Sequence, residues 1–460
     1  MLFNSLQFLL FFIIVTCLYY ALPHKRRWIL LLAASCWFYL SFIPIYLLIL
    51  AVTIVIDFAA GIWIEGSAGR RRKLLLTLSL ISNIGILAIF KYYNFFIVNI
   101  NAVLEASGSR AMFGLLQIAL PIGLSFHTFQ AMSYTIEVYR GNQKAERNFG
   151  IYSLYILFFP QLVAGPIERP QNMLHQFYEQ HSADIERIKS GLMIMAWGLF
   201  KKVVIADRLA LIVNQAYDNP AGQTSLNLIL ATVLFSFQIY CDFSGYSEMA
   251  LGMARVLGFR LTVNFRTPYF STSISEFWSR WHISLSSWFR DYLYIPLGGN
   301  RVAIPRWYFN LFIVFLISGL WHGANWGFVI WGALHGVFLI ASLVRGRVFP
   351  RLPHVGKSLR VVVVFTLVTF SWIFFRSATL ERSTAVISQM VRGGWHFQGY
   401  DLAEIAYCFA LIAFLCLREH FIAPFAEQAG RRWFARFVLL ILVIYILGVF
   451  NESQFIYFQF

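Results

Sequence analysis

A succession of apolar runs, most of them long enough to cross a bilayer, constrains this chain more than any other feature. An α-helix needs about 20 mostly apolar residues to span the hydrocarbon core of a membrane. Suitable runs lie near residues 5–22, 28–43, 45–64, 74–98, 113–138, 151–165, 189–206, 226–243, 308–323, 326–344, 359–376, 402–418 and 434–450. Only 13% of the 460 residues are charged, against about 25% in ordinary globular domains. The sequence therefore predicts an all-α polytopic membrane protein with about eleven to thirteen transmembrane helices.

The basic residues predict how these helices are oriented. Nineteen Lys and Arg residues fall in the loops 24–27, 70–73, 140–147, 345–360 and 418–436, and five in the alternate loops 41–44, 99–112, 207–224 and 376–401. Because cytoplasmic loops are enriched in Lys and Arg, we expect both termini outside the cytoplasm. Strict alternation then requires the segment 151–165 to enter the membrane without crossing it. Part of the segment 308–344, which Gly residues interrupt, is also a candidate for a re-entrant path.

Charge and cysteine usage exclude several classes of protein. The net charge of +16 fits basic loops against anionic lipid better than nucleic-acid binding. The cysteines lack the paired spacing of a disulfide framework or a zinc site; they are Cys17, Cys36, Cys241, Cys408 and Cys416. The first 20 residues lack a basic n-region and a cleavage site, so we expect a retained first span. P-loop, Rossmann and Gly-x-Ser-x-Gly motifs are also absent, which argues against an ATP-driven pump and a serine hydrolase.

The least apolar stretch, residues 242–306, contains one predicted amphipathic helix. Residues 273–276 (SISE) form a capping box that begins a helix, and Pro296 with the following glycines ends it. Within this helix His282, Ser286 and Arg290 recur every four residues and would share a polar, basic face. We expect this helix on the cytoplasmic side, at the membrane surface or in a cavity of the bundle.

His322 is the strongest candidate for chemistry. It lies in the apolar segment 321–326 (WHGANW), and an ionisable side chain inside a membrane is a candidate functional site. Histidine also exchanges protons near neutral pH. Gly319 and Gly323 would leave room for a ligand, Asn325 would orient the ring, and Trp321 with Trp326 would form the walls of a pocket. The alternative is a buried histidine that bonds to a neighbouring helix.

The other histidines are weaker candidates. For His282 a functional role and a solvated interfacial position are equally supported. His335 lies thirteen residues after His322, which is not one helix face, so a two-histidine metal site is not expected and no metal is predicted. We expect His335 to be structural or to support the site indirectly, and His127 to be structural.

Charged residues around this region offer further candidates. Asp242, at the end of a span, would cap a helix or pair with Arg, and Asp57 in the third run is similar. Four arginines are equally well explained as ligands of a phosphate-rich donor or as cytoplasmic anchors: Arg266, Arg280, Arg290 and Arg301.

Six stretches of this sequence resemble the membrane-bound O-acyltransferase family, most closely its alginate O-acetylation branch. They are 120–126 (LPIGLSF), 159–167 (FPQLVAGPI), 264–269 (NFRTPY), 277–285 (FWSRWHISL), 290–301 (RDYLYIPLGGNR) and 321–324 (WHGA). The related teichoic-acid D-alanylation proteins share the Arg-Trp-His-x-Ser-Leu core, but the PLGGNR run is more similar to the acetylation branch. The similarity covers nearly the whole chain.

The resemblance implies a ring of transmembrane helices around a thin central catalytic region. It implies one membrane domain over residues 1–460, with an amphipathic or re-entrant core at 242–306 and a helical hairpin at 308–344 that carries the catalytic histidine. His322 matches the catalytic histidine of the family and His282 its second characteristic position. The substrate-binding candidates are then Arg280, Arg290, Trp321, Asn325 and Asp291.

The same resemblance implies an activity in the bacterial cytoplasmic (inner) membrane. The family moves an acyl group, in this branch acetyl, from a cytoplasmic thioester to a hydroxyl of an extracellular polysaccharide such as alginate, often through a periplasmic partner acetyltransferase. The donor is expected to be acetyl-CoA or an acyl carrier protein, with no bound cofactor. D-alanyl or peptidoglycan O-acyl transfer by the same core, a scaffold subunit, and a transporter or channel remain open. A transporter favours inverted repeats, which this sequence lacks.

Overall fold

The described part of the chain consists of helices and the turns that join them. A computed structural model describes residues 1–109, 112–118, 120–348, 356–421, 432–450 and 455–456, and these ranges contain no β-strand. In the bilayer core every backbone N–H and C=O must be satisfied within the protein, which helices achieve within one segment. The predicted all-α fold class is therefore confirmed.

Nineteen α-helices follow one another in the described residues. They are α1 (Leu6–Ala21), α2 (His24–Leu40), α3 (Tyr46–Glu65), α4 (Gly69–Leu87), α5 (Tyr93–Ala106), α6 (Leu124–Arg140), α7 (Phe149–Leu157), α8 (Pro170–Met173), α9 (Ile185–Phe200), α10 (Asp207–Asp218), α11 (Ser225–Leu257), α12 (Ile274–Arg280), α13 (Ile283–Phe289), α14 (Ile304–His322), α15 (Trp326–Val348), α16 (Lys357–Arg376), α17 (Leu380–Arg392), α18 (Leu402–Phe421) and α19 (Trp433–Leu447). Short π-helices cover Ala88–Tyr92, Lys201–Ala206 and Arg290–Tyr294, and 3₁₀ turns cover Leu174–Tyr178, Pro220–Gly222 and Pro268–Phe270.

Six of these helical stretches are long and apolar enough to cross a membrane. They are Tyr46–Glu65, Gly69–Ala106, Ser225–Leu257, Ile304–His322, Trp326–Val348 and Lys357–Arg376. Two shorter apolar helices, Leu6–Ala21 and Trp433–Leu447, coincide with the first and last predicted runs. The protein is thus a multi-pass membrane protein, whereas eleven to thirteen crossings and the predicted orientation stay predictions.

Two predicted apolar runs have a different course in the structure. The run 113–138 becomes helical only at Leu124, because Pro121 precedes the helix and Gly123 adopts a left-handed φ of 77°. The run near 151–165 contains the nine-residue helix α7. At about 1.5 Å per residue α7 is far shorter than a bilayer core of about 30 Å, which agrees with a segment that enters without crossing.

The chain divides into two compact units. The first comprises Met1–Leu192 with Ala250–Thr262, and the second comprises Met193–Met249 with Val263–Phe460. The predicted single membrane domain over residues 1–460 stays a prediction. His282, His322 and His335 all belong to the second unit.

In the first unit, Asp57 and His127 lie within apolar segments and have structural partners. Ser79 donates to the Asp57 carboxylate at 2.6 Å, and Asn83 donates to both of its oxygens. Thr53 donates to the Leu50 carbonyl, so its hydroxyl accepts from His127 Nε2 at 2.6 Å. These bonds support the structural interpretation of His127.

In the second unit, α14 and α15 form a closely packed hairpin, as expected for residues 308–344. A Cβ added at Gly319 would lie 2.3 Å from the Phe328 carbonyl oxygen, and one at Gly332 would lie 2.4 Å from the Phe315 carbonyl oxygen. Small residues at helix interfaces let backbones approach in membranes, where packing rather than water drives association. The two glycines therefore set the separation of the hairpin helices.

A substitution at this crossing tests the packing. We expect Gly319→Ala to destabilise the protein by about 1–3 kcal/mol, the usual cost of an overpacked site. The thermal midpoint of the purified protein in detergent measures this. Gly346→Ala, in the partner helix α15, meets no atom within 4 Å and should leave the midpoint unchanged or slightly raised, since Ala favours helix. Equal midpoints for the two variants would contradict the packing account.

Candidate active site

His282 lies at a break between two short helices and not on the face of one long helix. Helix α12 ends at Arg280, and α13 begins at Ile283. His282 itself has φ 45° and ψ 54°, and only one other non-glycine residue in the described ranges, Thr267, has a positive φ. The predicted common face of His282, Ser286 and Arg290 is therefore wrong. Such left-handed residues are costly and cluster at functional sites.

Asn264 holds this break in place. Its backbone carbonyl accepts from Ile283 N at 3.0 Å, and its side-chain oxygen accepts from Ser284 N at 3.2 Å. These bonds satisfy amides at the start of α13 that have no partner within the helix. Asn264 also donates to Ser247 at 3.3 Å, so the break is fixed to α11. Asn264 was not a predicted site residue, although it begins the recognised segment 264–269.

His322 is the last residue of α14 and so lies at the tip of the hairpin. Its ring has T-shaped contacts with Trp321, Trp331 and Phe375 at centroid distances of 4.9, 5.1 and 5.3 Å. Aromatic edges and faces at these distances are attractive and fix the ring orientation. Of these neighbours the sequence identified only Trp321. Trp326, the second expected pocket wall, is 50% exposed.

The structure brings the two predicted histidines together. The centroids of the His282 and His322 rings are 6.3 Å apart, although the residues are separated by forty positions in the chain. Trp321 lies 6.2 Å from His282 and 4.9 Å from His322, and thus borders both rings. The two imidazoles therefore belong to one buried aromatic cluster.

The two rings differ in surroundings. His282 is fully buried, whereas His322 retains 4% of its surface. Phe243 stands edge-on to His282 at 4.7 Å. Because burial disfavours the charged form, the pKa of His282 falls to about 3, and this ring is neutral at pH 7. The more accessible ring is thus His322.

Gly319 and Gly323 allow close packing within the hairpin. The expectation that they leave room for a ligand beside His322 is therefore wrong. Space at Gly319 is taken by the α15 backbone, and a Cβ at Gly323 would lie 2.2 Å from the Phe328 ring. Asn325 begins α15, since its side chain accepts from Gly327 N at 2.7 Å and donates to the Ala378 carbonyl. Its amide thus fixes the hairpin turn that follows His322, and not the imidazole as we expected.

His335 has structural partners at both ring nitrogens. Trp278 Nε1 donates to Nδ1 at 3.2 Å, which requires a lone pair there. Ser371 donates its own proton to the Val368 carbonyl, so it accepts from His335 Nε2 at 2.9 Å. The ring is therefore a neutral structural bridge between α12, α15 and α16. No group of three or more His, Cys, Asp or Glu residues that could hold a metal occurs in the described ranges.

Helix α12 begins at the predicted cap, although the carboxylate of Glu276 returns to Thr272 and not to the N-cap residue Ser273. Ser273 Oγ accepts from Glu276 N at 3.1 Å, and the Glu276 carboxylate accepts from Thr272 N at 2.7 Å. Glu276 also forms an ion pair with Arg280 at 2.6 Å. Burial alone would raise the pKa of Glu276, but the hydrogen bonds from Thr272 and the charge of Arg280 outweigh it and lower that pKa.

This cap gives a pH-dependent prediction. A carboxyl group whose pKa is lowered by folding stabilises the protein above its unfolded pKa of about 4.3, and the contribution is lost as the pH falls through the folded pKa. We expect Glu276→Gln to cost at most about 1 kcal/mol at pH 7, since the pair is partly exposed. The difference in thermal midpoint from wild type should shrink toward pH 3. A difference that is constant with pH would refute the role of the charge.

The other basic candidates lie at the surface. Arg290 pairs with Asp291 at 2.8 Å and its side chain is 63% exposed, while Arg266 and Arg301 are also exposed. Arg266 and Arg280 are linked through a backbone bond from Arg266 N to the Arg280 carbonyl at 2.9 Å. These arginines can reach a large anionic ligand from outside the buried histidine pair.

Two buried lysines were missed because they lie inside a run that we counted as apolar. Lys201 Nζ is 2.7 Å from Glu248 and 3.7 Å from Glu419. Lys202 Nζ is 2.7 Å from Asp242 and 2.8 Å from Asp207. Asp242 therefore pairs with Lys and not with the predicted Arg. It immediately precedes Phe243, so this pairing helps to fix the residue that packs against His282.

Comparison with known proteins agrees with this geometry. The chain is 38% identical to a probable alginate O-acetylase AlgI of Pseudomonas aeruginosa, over 94% of this chain and 84% of that protein. It is 36% identical to a peptidoglycan O-acetyltransferase of Helicobacter pylori, over 80% and 73%, and 28% identical to a teichoic acid D-alanyltransferase of Bacillus subtilis, over 47% and 58%. The model of the membrane-bound O-acyltransferase family matches residues 147–380, which contain both histidines. The chain therefore belongs to the membrane-bound O-acyltransferase family and is an O-acyltransferase.

Proposed function

We propose that this enzyme moves an acetyl group from a cytoplasmic thioester to hydroxyls of an extracellular polysaccharide such as alginate. The observation that carries the proposal is the pair of imidazole rings at 6.3 Å, walled by Trp321 and buried in the second unit. The donor is acetyl-CoA or an acyl carrier protein thioester. The enzyme lies in the inner membrane of a bacterium.

His322 is the general base in this proposal. A hydroxyl is a weak nucleophile until a base takes its proton, and such help is worth about 10²–10⁴ in rate. The imidazole of His322 accepts the hydroxyl proton as the oxygen attacks the thioester carbonyl. The carbon–sulfur bond then breaks, and the departing thiolate receives that proton from the imidazolium. The ring returns to its neutral form, and the products are an ester and a free thiol.

His282 positions the reacting groups. Its buried, neutral ring has no net charge to supply, but one nitrogen of a neutral imidazole donates and the other accepts. The fixed backbone at the α12–α13 break and the edge contact with Phe243 hold that ring still. The ring can therefore orient the carbonyl or the hydroxyl beside His322.

The arginines and the Arg290–Asp291 pair form the donor-binding side. Arg280 directly precedes the Trp281–His282 break, and its guanidinium lies 3.4 Å from the Thr267 carbonyl. Arg guanidinium groups bind phosphate through two parallel hydrogen bonds. We assign Arg280, Arg290 and the exposed Arg266 and Arg301 to the phosphates of the donor.

The names of the relatives support the proposed acceptor. Four further proteins of similar coverage, among them that of Azotobacter vinelandii, are also named probable alginate O-acetylases, which favours acetyl and alginate. Transfer through a periplasmic partner acetyltransferase is part of the proposal. The peptidoglycan O-acetyltransferase relative makes peptidoglycan the second candidate acceptor.

Proteoliposomes separate this function from transport. Vesicles of purified protein receive acetyl-labelled thioester on the face carrying residues 242–306, and the polysaccharide with the periplasmic partner acetyltransferase on the other face. We expect label bound covalently to the polymer and free thiol on the donor side. Accumulation of unreacted donor on the far side without esterification would identify a transporter instead. Partially de-esterified alginate and peptidoglycan fragments, compared as acceptors, decide between the two polymers.

A further inference from the structure

A cavity of about 200 Å³ lies in the second unit, and neither His282 nor His322 is among the residues that line it. It is formed where the end of α9 meets α18 and the start of α19. Its lining combines two arginines with aromatic and aliphatic side chains: Met193, Trp197, Phe414, Arg418, Trp433, Arg436 and Leu440. This combination matches a molecule with one anionic end and one apolar end.

Trp197 organises the polar end of the cavity. The Arg418 guanidinium carbon lies 3.5 Å from the centroid of the Trp197 ring, and Lys201 Nζ lies 5.9 Å from the same ring. A cation over the face of an indole is attracted by its quadrupole, more so when water is excluded. Trp197 is 7% exposed, so the Arg418 position is built into the wall.

Among the described residues, those that line the cavity include two arginines and no carboxylate. Lys201, Arg418 and Arg436 are cations, and Glu248 and Glu419 are the carboxylates that pair with Lys201. The amino end of the 15-residue helix α19 adds further positive potential. A phosphodiester would place its negative charge beside the two lining arginines.

The apolar end of the cavity continues to the protein surface. Phe414 packs on Trp197 and Phe200 at centroid distances of 6.2 and 5.8 Å, and it is 48% exposed. Pockets for drug-sized ligands hold about 300–1,000 Å³, so a complete amphiphile does not fit in this cavity. A head group would occupy it while the chains lie along Phe414 and Leu440.

We propose that this cavity binds the head group of an anionic membrane phospholipid. Arg418 and Arg436 contact its phosphate, while Trp197 and Trp433 supply the indole rings that are favoured beside lipid head groups. Both arginines flank the basic loop 418–436, which the charge distribution places on the cytoplasmic side, where anionic lipid attracts Lys and Arg. The site is independent of the proposed acyl transfer.

Native mass spectrometry of the purified full chain tests the site. The protein in neutral detergent is titrated with phosphatidylglycerol or with phosphatidylcholine of the same chains, and the first bound lipid is counted. We expect the wild-type protein to bind phosphatidylglycerol more tightly than phosphatidylcholine. The double variant Arg418→Gln, Arg436→Gln should bind phosphatidylglycerol about thirtyfold more weakly, because each arginine contributes about 1 kcal/mol. Arg306→Gln, which removes an exposed arginine from α14, is the matched control and should keep the wild-type preference.

A second variant leaves the charges intact. Leu440→Trp should fill the apolar end of the cavity and weaken the binding of phosphatidylglycerol. A thermal midpoint equal to that of wild type would show that the variant remains folded. Equal affinity for the two lipids, unchanged binding in the double arginine variant, or full displacement of the lipid by millimolar inorganic phosphate would each overturn the proposal.

Discussion

His322→Ala should abolish acetylation of the polymer while the protein is still made and inserted. The structure places this ring at the tip of the α14–α15 hairpin, 6.3 Å from His282 and with 4% of its surface exposed. Removal of a general base lowers the rate by about 10²–10⁴. The ester content of the polymer and the transfer rate in vesicles measure the effect.

Two comparisons make this result specific. His322→Asn keeps a polar side chain but has no group that takes a proton near neutral pH, and should be as inactive as the alanine variant. His175→Ala removes a histidine that is 58% exposed in the first unit and should retain full activity. Substantial acetylation by either His322 variant, with membrane levels equal to wild type, would refute the assignment of the base.

His282→Asn should lower transfer about 10²-fold with little loss of stability. His282 has a left-handed backbone conformation, and Asn tolerates that conformation better than most residues. The substitution therefore preserves the break between α12 and α13 and removes only the ring. A reacting group displaced by about 1 Å commonly costs such a factor. The transfer rate at saturating donor and the thermal midpoint are measured on the same preparation.

The backbone control uses the second left-handed residue. Thr267→Asn places the same side chain in the same conformation, φ 46°, but leaves both imidazoles in place, and it should keep most of the activity. His282→Val should lose both activity and stability, because a β-branched residue is strained by about 1–3 kcal/mol there. If His282→Asn transferred acetyl at the wild-type rate, His282 would have no positioning role.

The sequence predicted the helix ends best where the length of an apolar run alone determines them. The runs 326–344 and 359–376 became α15 and α16 with ends shifted by only a few residues. The predicted run 113–138 starts before helix α6, which begins only at Leu124. The first part of the run is apolar, but Pro121 and Gly123 interrupt it. Apolar composition thus identifies burial in the membrane, but backbone geometry decides where a helix starts.

The candidate site was predicted in its residues but not in its geometry. His282 and His322 were both named, yet no local pattern shows that residues forty positions apart meet. The break at His282 depends on a carbonyl and a side chain supplied by Asn264, a tertiary interaction that the capping pattern at 273–276 does not reveal. The buried charges of Lys201 and Lys202 were visible in the sequence, as two adjacent lysines in an apolar run.

A structure with a bound donor analogue tests the central claim most directly. In a ketone analogue of acetyl-CoA the carbonyl is retained but cannot be transferred, so the complex persists for electron cryo-microscopy. We predict that its carbonyl carbon lies beside the paired His282 and His322 rings, within about 3–4 Å of His322, with the phosphates against Arg280 or Arg290. A carbonyl held elsewhere in the protein, with other side chains against it, would contradict the account.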